Sequence, residues 1–567
     1  MGRRDGQRSR QADPQRLDAL VIGAGFGGMY ALHRLRGMGL GTKLIEAGDG
    51  VGGTWYWNRY PGARCDVMSI DYSYSFSPDI QQEWTWSERF AAQPEILRYA
   101  NWVADKLDLF RDIRFDTRAR AITWDDARRL WRVETDAGET FEARFCIMAT
   151  GPLSVPKGID IPGADTFQGE TYLAARWPQH PVGFAGKRVG LIGTGSSGIQ
   201  ITPVVAEQAG HLHVFQRTPS FSLPMRNRTL APEYVAQVKE HYEGLRAIAR
   251  TTYSGGVRPA TTRPLFSVTV EERTALLEQA WAESGHNLLG LFSDLLLNQR
   301  ANDVVADFVR SKIDEVVDDP AIADKLKPRG YPIFARRPCL DTGYYESFNR
   351  GNVTLEDCLD DPIEAITPTG IRTRTRDIPL DVIIGATGFD ALTGAMMAID
   401  IRGRNGRSLR EKWADGARSY LGLMVEGFPN MFTIAGANGP SALANFIILN
   451  EQNVDWLCAC IRHMDDEGFD TVEATRDAEN GWVAHIAELA STSLMPKANT
   501  WYTGTNIAGK PRTFPIYTGG LGRYLDTCRQ VVMRGYEGVA FETRGGAEEH
   551  QAAPPLAATD HVVEGQP

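Results

Sequence analysis

The chain has 567 residues, 43% hydrophobic and 23% charged, with 57 glycines: the proportions of a folded chain, with glycine at a level that suits many tight turns or phosphate-cradling loops. At ~150 residues per domain this is several folding units with a large core. The formal net charge of −10, from 61 basic and 71 acidic residues, leaves no basic excess for nucleic acid, and no apolar run reaches the ~18 residues of a membrane span, so a large soluble, cytoplasmic enzyme is the expected class.

Residues 1–16 read as a disordered arm. Arg3 and Arg4 form a twin-arginine pair, but no apolar region follows to make an export signal. Residues 18–23, DALVIG, read as a strand. Gly23, Gly25 and Gly28 then form GxGxxG, MYALHRLR continues as a helix, and TKLIE is a second strand ending in Glu46. This is a βαβ dinucleotide fingerprint: a tight turn at Gly23, backbone approach to a pyrophosphate at Gly25, close helix–strand packing at Gly28, and an acid for the ribose hydroxyls. The phosphate is expected on free N–H groups at the helix start.

A second fingerprint follows. Strand 187–193 leads into GTGSSG, with Gly193, Gly195 and Gly198, then a helix and the strand HLHVF. Gln216, Arg217 and Thr218 stand where an acid is expected. An acid repels a 2′-phosphate, whereas an arginine and a hydroxyl hold one, so the second nucleotide reads as NADP(H). Two nucleotides imply electron transfer from a nicotinamide to a flavin, with FAD at the Glu46 site. The segment after the first fingerprint, GVGGTWYWNRYPGARCD, holds one cysteine, Cys65, and no redox pair, which removes disulfide reduction and leaves dioxygen as the natural acceptor. The seven cysteines are scattered. Only Cys458 and Cys460 are close, and their CxC spacing fits neither a redox pair nor a zinc knuckle. They read as reduced, mostly buried thiols, with no metal site.

Between the fingerprints, residues 167–178 read FQGETYLAARWP. This resembles the FxGxxxHxxxWP signature of type I Baeyer–Villiger monooxygenases, through Phe167, Gly169, Trp177 and Pro178. The histidine position holds Leu173. In that family the histidine helps position or move the two nucleotide domains; alternatively the linker needs only its Phe, Gly, Trp and Pro for packing and turn geometry. The resemblance spans about residues 17–540. It includes ATGPLSVP (149–156), the arginine segment from Ala335, ATGFD (386–390), GPSALANF (439–446) and KANTWYTGTNIAGKPR (497–512), which is similar to a mobile cofactor-covering loop.

The resemblance implies an α/β fold with two Rossmann-like domains, for FAD and NADP, and a helical insertion. The implied FAD domain is discontinuous, 17–155 and 386–545. The NADP domain is 156–224 and 332–385, the insertion 225–331, and 546–567 a disordered tail. In the insertion Val304, Val305, Phe308, Val309, Ile313 and Val316 share one helix face, read as packing in preference to a lid. The implied activity is NADPH- and O2-dependent oxidation of a ketone to an ester or lactone through a C4a-peroxyflavin. FAD contacts are implied at Gly23, Gly25, Phe26, Gly28, Glu46, Gly53, Thr54, Trp55, Asp66 and Tyr72. NADP contacts are implied at Gly193, Thr194, Gly195, Ser196, Ser197, Gly198, Gln200, Arg217, Thr218, Arg336 and Trp501. Arg337 would hold the anions of the reaction, oriented by Asp66, and Arg336 stands where the family more often has lysine. Leu153, Ser441, Ala442, Leu443 and Phe446 would line the substrate pocket. The rivals are a flavin monooxygenase acting on amine or sulfide heteroatoms, disfavoured by Trp177–Pro178 and Arg337, and an uncoupled NADPH oxidase, favoured only by Leu173. Monomer and homodimer both stay open, as does the ketone.

Overall fold

A computed structural model describes residues 14–257 and 261–543; residues 1–13 of the expected arm and the whole expected tail lie outside it. Apolar, β-branched runs flanked by glycine turns form the strands of two main sheets. The first has eight strands. Its parallel centre is Gln15–Ile22 between Thr42–Ile45 and Thr140–Met148. Thr140–Met148 pairs antiparallel with Leu130–Thr135 along its first half and parallel with Met431–Thr433 along its second. Asp400–Arg402 adds to Ala119–Asp125 at one edge. Two strands from beyond residue 386 therefore complete a sheet begun at residue 15.

The first strand starts earlier than expected. Gln15 and Arg16, assigned above to the arm, pair with Phe141 and Glu142. Ladder hydrogen bonds are backbone groups, so polar side chains extend a strand where a neighbour offers free partners. The second sheet is wholly parallel, in the order Val353–Asp357, His211–Gln216, Arg188–Ile192, Val382–Gly385, Glu170–Leu173. Its strands Arg188–Ile192 and Val382–Gly385 are nearly continuous buried apolar runs, as central parallel strands require, while the edge strands Val353–Asp357 and Glu170–Leu173 carry polar residues.

Among the described residues, 225–331 carry five α-helices: Pro232–Glu240, Tyr242–Thr251, Val270–Glu283, Gln299–Val316 and Pro320–Leu326. On Gln299–Val316, Val305, Val309 and Ile313 are fully buried, and Val304, Phe308 and Val316 pack partly buried beside them. Val304, Val305, Phe308 and Val309 share one cluster with Ile333, Phe334 and Ala335, whereas Ile313 and Val316 pack in the core of the second sheet, so the insertion braces the segment leading to Arg336 and Arg337. All seven cysteines are free, six of them buried. Among the described residues no helix is long and apolar enough to cross a membrane.

Candidate active site

The two fingerprints build near-identical cradles. Gly23 and Gly193 have φ of +108° and +110°, and a Cβ on either would lie 2.5 or 2.6 Å from the carbonyl oxygen of Ala149 or Ala386. A Cβ at Gly28 would lie 1.8 Å from the Gly23 carbonyl oxygen, and at Gly198 2.0 Å from that of Gly193. Helices Phe26–Gly37 and Ser196–Gln208 start at Gly25 and Gly195, and neither start is capped by a side chain. Their first N–H groups thus keep the positive end of each helix dipole for an anion. At Gly195 a Cβ would meet no protein atom within 4 Å. These are the donors and the space that the pyrophosphates of two dinucleotides require.

The acid positions differ between the two cradles. Glu46 is buried and accepts N–H groups from Ala24 at 2.7 Å and Gly48 at 2.9 Å. Burial pushes its carboxyl above the usual value, opposed by those N–H groups and by Arg118. In the second cradle Gln216 is buried and donates to the Lys325 carbonyl at 2.8 Å. Arg217 is exposed, and the Thr218 carbonyl accepts the Thr194 hydroxyl at 3.1 Å.

Both cradles face one cleft of about 1290 Å³, above the ~300–1,000 Å³ of a single small-ligand site. It is lined by Gly23, Gly25, Phe26, Glu46, Gly53, Thr54, Trp55, Asp66, Tyr72 and Leu153 from the N-terminal segment. Gly193, Thr194, Gly195, Ser196, Ser197, Gln200, Arg217, Thr218, Arg336 and Arg337 follow, then Ala442, Phe446 and Trp501. Gln200 also ties the cradles together, accepting the Tyr60 hydroxyl at 2.9 Å and donating to the Arg64 carbonyl at 3.0 Å. Four expected residues do not line the cleft. Gly28 and Gly198 serve close packing behind it. Ser441 is fully buried, and Leu443 packs in an apolar cluster with Leu392, Tyr502 and Ile516. The tight turn Ser441–Leu443 presents only Ala442, since three residues per turn point three ways.

Asp66 and Arg337 meet at the cleft wall. Arg337 Nε donates to Asp66 Oδ2 at 2.7 Å and Nη2 to Oδ1 at 2.8 Å, while Nη1 donates to the Ala442 carbonyl at 2.7 Å. A guanidinium carries five N–H groups, so two remain beyond these three bonds. Burial works against the charge on Asp66, but Arg337 outweighs it and holds the carboxyl below its usual value; the Asp66 charge in turn pushes Arg337 up, so the pair is ionised. Asn302 fixes the approach to this segment. Its side chain accepts from the Ile333 N–H at 3.0 Å and donates to the Ile333 carbonyl at 2.8 Å. Sequence reasoning missed Asn302, although a polar residue within an apolar helix face is a signal.

The Trp501 loop is docked on the crossovers between the sheets. These pair with each other, Lys157 N–H to the Gly388 carbonyl and Asp390 N–H to the Val155 carbonyl, both at 2.9 Å. Lys510 donates to Asp390 at 2.6 Å, Asn506 to the Phe389 carbonyl at 2.8 Å, and Lys157 to the Asn506 carbonyl at 2.6 Å. Lys157, Asn506 and Lys510 carried no sequence signal for this docking. In the linker, Leu173 pairs with Gly385. Arg176 lies over the Trp57 ring at 4.2 Å, and Gln179 donates to the Tyr56 hydroxyl at 3.2 Å.

Residues 20–257 match the pyridine nucleotide-disulphide oxidoreductase family, a match to the nucleotide fold that brings no cysteine pair with it. The chain is 42% identical over 528 residues to the acetone monooxygenase (methyl acetate-forming) of Gordonia sp. (strain TY-5), covering 93% of this chain and 99% of the relative. It is 40% identical over 524 residues to a Baeyer–Villiger monooxygenase of Pseudooceanicola batsensis, covering 92% and 95%. A solved oxidized steroid monooxygenase bound to NADP superposes with a TM-score of 0.89 at 45% identity, covering 93% of this chain and all of that one. With full-length relatives at this identity and the two cradles facing one cleft, the chain belongs to the Baeyer–Villiger monooxygenase family.

Proposed function

We propose that this enzyme uses NADPH, dioxygen and bound FAD to convert a ketone into an ester or lactone, with Arg337 as the charged group at the reacting carbonyl. The observation that carries the assignment of Arg337 is its bidentate bond to Asp66, with two N–H groups left over, in the wall of the cleft that both cradles share. FAD supplies the redox chemistry, taking reducing equivalents from NADPH and delivering one oxygen atom of dioxygen to the substrate.

The chain's residues bind, orient and shield. Glu46 accepts the ribose hydroxyls of FAD, and the helix start at Gly25 faces its pyrophosphate. Arg217, Thr218 and the helix start at Gly195 hold NADPH. Trp501 covers the nicotinamide side and excludes water. Arg337 stays protonated beside Asp66, so it offers a fixed positive charge to the negative charge that develops on the ketone oxygen under attack. Asp66 sets the plane of the guanidinium and takes no proton. Leu153, Ala442 and Phe446 form the substrate wall. A need for NADPH, an intracellular nucleotide, supports a cytoplasmic site of action.

The test is aerobic turnover with NADPH and labelled dioxygen on aryl-acetone, cyclic and steroid ketones, with a thioether as the heteroatom arm. One labelled oxygen in an ester or lactone is expected. Sulfoxide as the sole product assigns heteroatom oxidation instead, and peroxide without labelled product assigns an NADPH oxidase.

A further inference from the structure

A chain of contacts joins the phosphate end of the second cradle to the Trp501 loop. The Thr218 carbonyl accepts the Thr194 hydroxyl, and the next carbonyl, that of Pro219, accepts the Tyr331 hydroxyl at 2.9 Å. The Arg336 guanidinium lies over the Tyr331 ring, 4.2 Å from its centroid, a cation–π contact that fixes its plane. Its Nη2 donates to the backbone carbonyl of Asn499 at 2.7 Å. Asn499 directly precedes the turn Trp501–Thr503 and its cap, Thr500, whose side chain accepts the Tyr502 N–H. Arg336 Nε is buried and has no hydrogen-bond partner among the described residues. Arg336 lines the same cleft as Arg217 and Thr218.

An orphaned, buried N–H on a charged group is costly and calls for an acceptor. A lysine offers one compact charge on a flexible stem, whereas an arginine fork holds two partners at a fixed angle. With Nη2 on the loop carbonyl, the acceptor that suits Nε is an anion held by Arg217 and Thr218.

We propose that Arg336, clamped on Tyr331, is a latch joining the 2′-phosphate of the nicotinamide nucleotide to the loop that carries Trp501, so that loop closure depends on that phosphate. The inference rests on the reading of Arg217 and Thr218 as phosphate ligands. Without the phosphate, Nε stays unpaired, which favours withdrawal of the side chain into water and release of Asn499. With it, the fork is filled on both sides. NAD⁺, which shares every other group with NADP⁺, then binds without holding the loop. Arg336 is a positioning residue for Trp501 as well as a phosphate ligand.

The test is hydrogen–deuterium exchange across residues 497–512 of the FAD-loaded enzyme, without nucleotide, with saturating NAD⁺ and with saturating NADP⁺, alongside NADP⁺ titrations. NADP⁺ is expected to slow loop exchange about ten-fold more than NAD⁺, the ratio that ~1.4 kcal/mol produces and close to one hydrogen bond from a charged donor. Arg336→Lys keeps the charge and is expected to weaken NADP⁺ binding by up to about ten-fold, the reciprocal of the lost closure, while losing most of that ratio at saturating nucleotide. Equal protection by both nucleotides in the wild type, or an undiminished ratio in Arg336→Lys, overturns the latch. Arg217→Ala separates the latch from its premise: unchanged NADP⁺ affinity there overturns the phosphate reading itself, whereas weakened affinity leaves the latch to stand or fall on Arg336→Lys.

Discussion

The two cradles share one construction and differ in how they are finished. In both, the first glycine turns at positive φ under an alanine carbonyl, and the third lets the helix start sit on the turn. These are demands of a strand–turn–helix that brings backbone N–H groups to a phosphate. The finishes diverge. The first cradle is roofed: a Cβ on Gly53 would lie 2.8 Å from the Gly25 Cα, and Phe26, Trp55 and Tyr72 interlock beside it with ring centroids 5.9 Å apart. Its acid is buried. In the second no atom of the described residues comes within 4 Å of a Cβ placed on Gly195, and Arg217 is exposed. A roofed site retains a prosthetic group through many turnovers, while an open one with a surface cation admits and releases a soluble nucleotide. The shared parts report what any dinucleotide needs, and the finishes set the two sites apart.

The largest effect is expected where the cradles meet. Arg337→Ala removes no residue of either cradle, so flavin occupancy and NADPH consumption should persist. Labelled ester or lactone should fall by ~10²–10³-fold, the loss typical of removing one oxyanion donor, with hydrogen peroxide rising to match. A paired loss of NADPH consumption and product would instead place Arg337 in nucleotide binding. Next come the third glycines. Gly28→Ala and Gly198→Ala impose almost the same clash, a Cβ 1.8 or 2.0 Å from a backbone oxygen, costing about 3 kcal/mol or more. Their consequences should differ: Gly28→Ala should purify colourless or unstable, and Gly198→Ala yellow with NADPH affinity lost. If both lose flavin, the contrast between the cradles is wrong.

Much of this contrast was legible beforehand. The glycine spacings, Glu46 and the Gln216–Arg217–Thr218 triplet are local, and one strand–turn–helix fixes them within ~30 residues. Arg337 and Asp66, 271 positions apart, were paired only through a family resemblance, since no local periodicity joins them. Asn302, Tyr331 and Asn499 escaped notice because their roles are backbone bonds and ring contacts made across the fold, which leave no pattern along the chain. Ser441 and Leu443 stand off the cleft while Ala442 between them lines it, because a tight turn alternates what it exposes and the sequence carries no mark of which residue faces in.

A moderate effect is expected at the acid of the roofed cradle. Burial raises the Glu46 carboxyl above its usual value, so the fold favours its neutral form. That contribution is present at low pH and is lost as pH rises from the unfolded carboxyl's value, ~4.3, through the raised folded one. At pH 7 the flavin-free protein therefore carries the cost of a buried charge. Glu46→Gln should melt higher than wild type as apoprotein at pH 7, with the gain vanishing near pH 4. Flavin affinity should fall by about ten-fold or more, since a charge-assisted bond to the ribose becomes a neutral one. An apoprotein destabilised at pH 7 would mean that the Ala24 and Gly48 N–H groups already compensate the charge fully.

The smallest effect is expected at the position that departs from the family signature. Leu173 closes its strand beside Gly385, where an added Cβ would lie 2.9 Å from Leu173 and 2.8 Å from Ile159, so its side chain packs against apolar neighbours. The linker meets the first cradle elsewhere, through Arg176 on Trp57 and Gln179 on Tyr56. If those contacts carry the linkage, Leu173→His should change the ratio of labelled product to NADPH consumed by less than about three-fold and cost about 1 kcal/mol of stability, a typical single-substitution loss. Arg176→Ala should lower that ratio more than Leu173→His does, because removing a partly desolvated cation–π contact costs about 1–2 kcal/mol at the seam between the sheets. A marked rise in coupling on restoring histidine would reverse this order and show that the linkage runs through position 173, with the open cradle held in place by the strand it borrows and not by the arginine that reaches across to the roofed one.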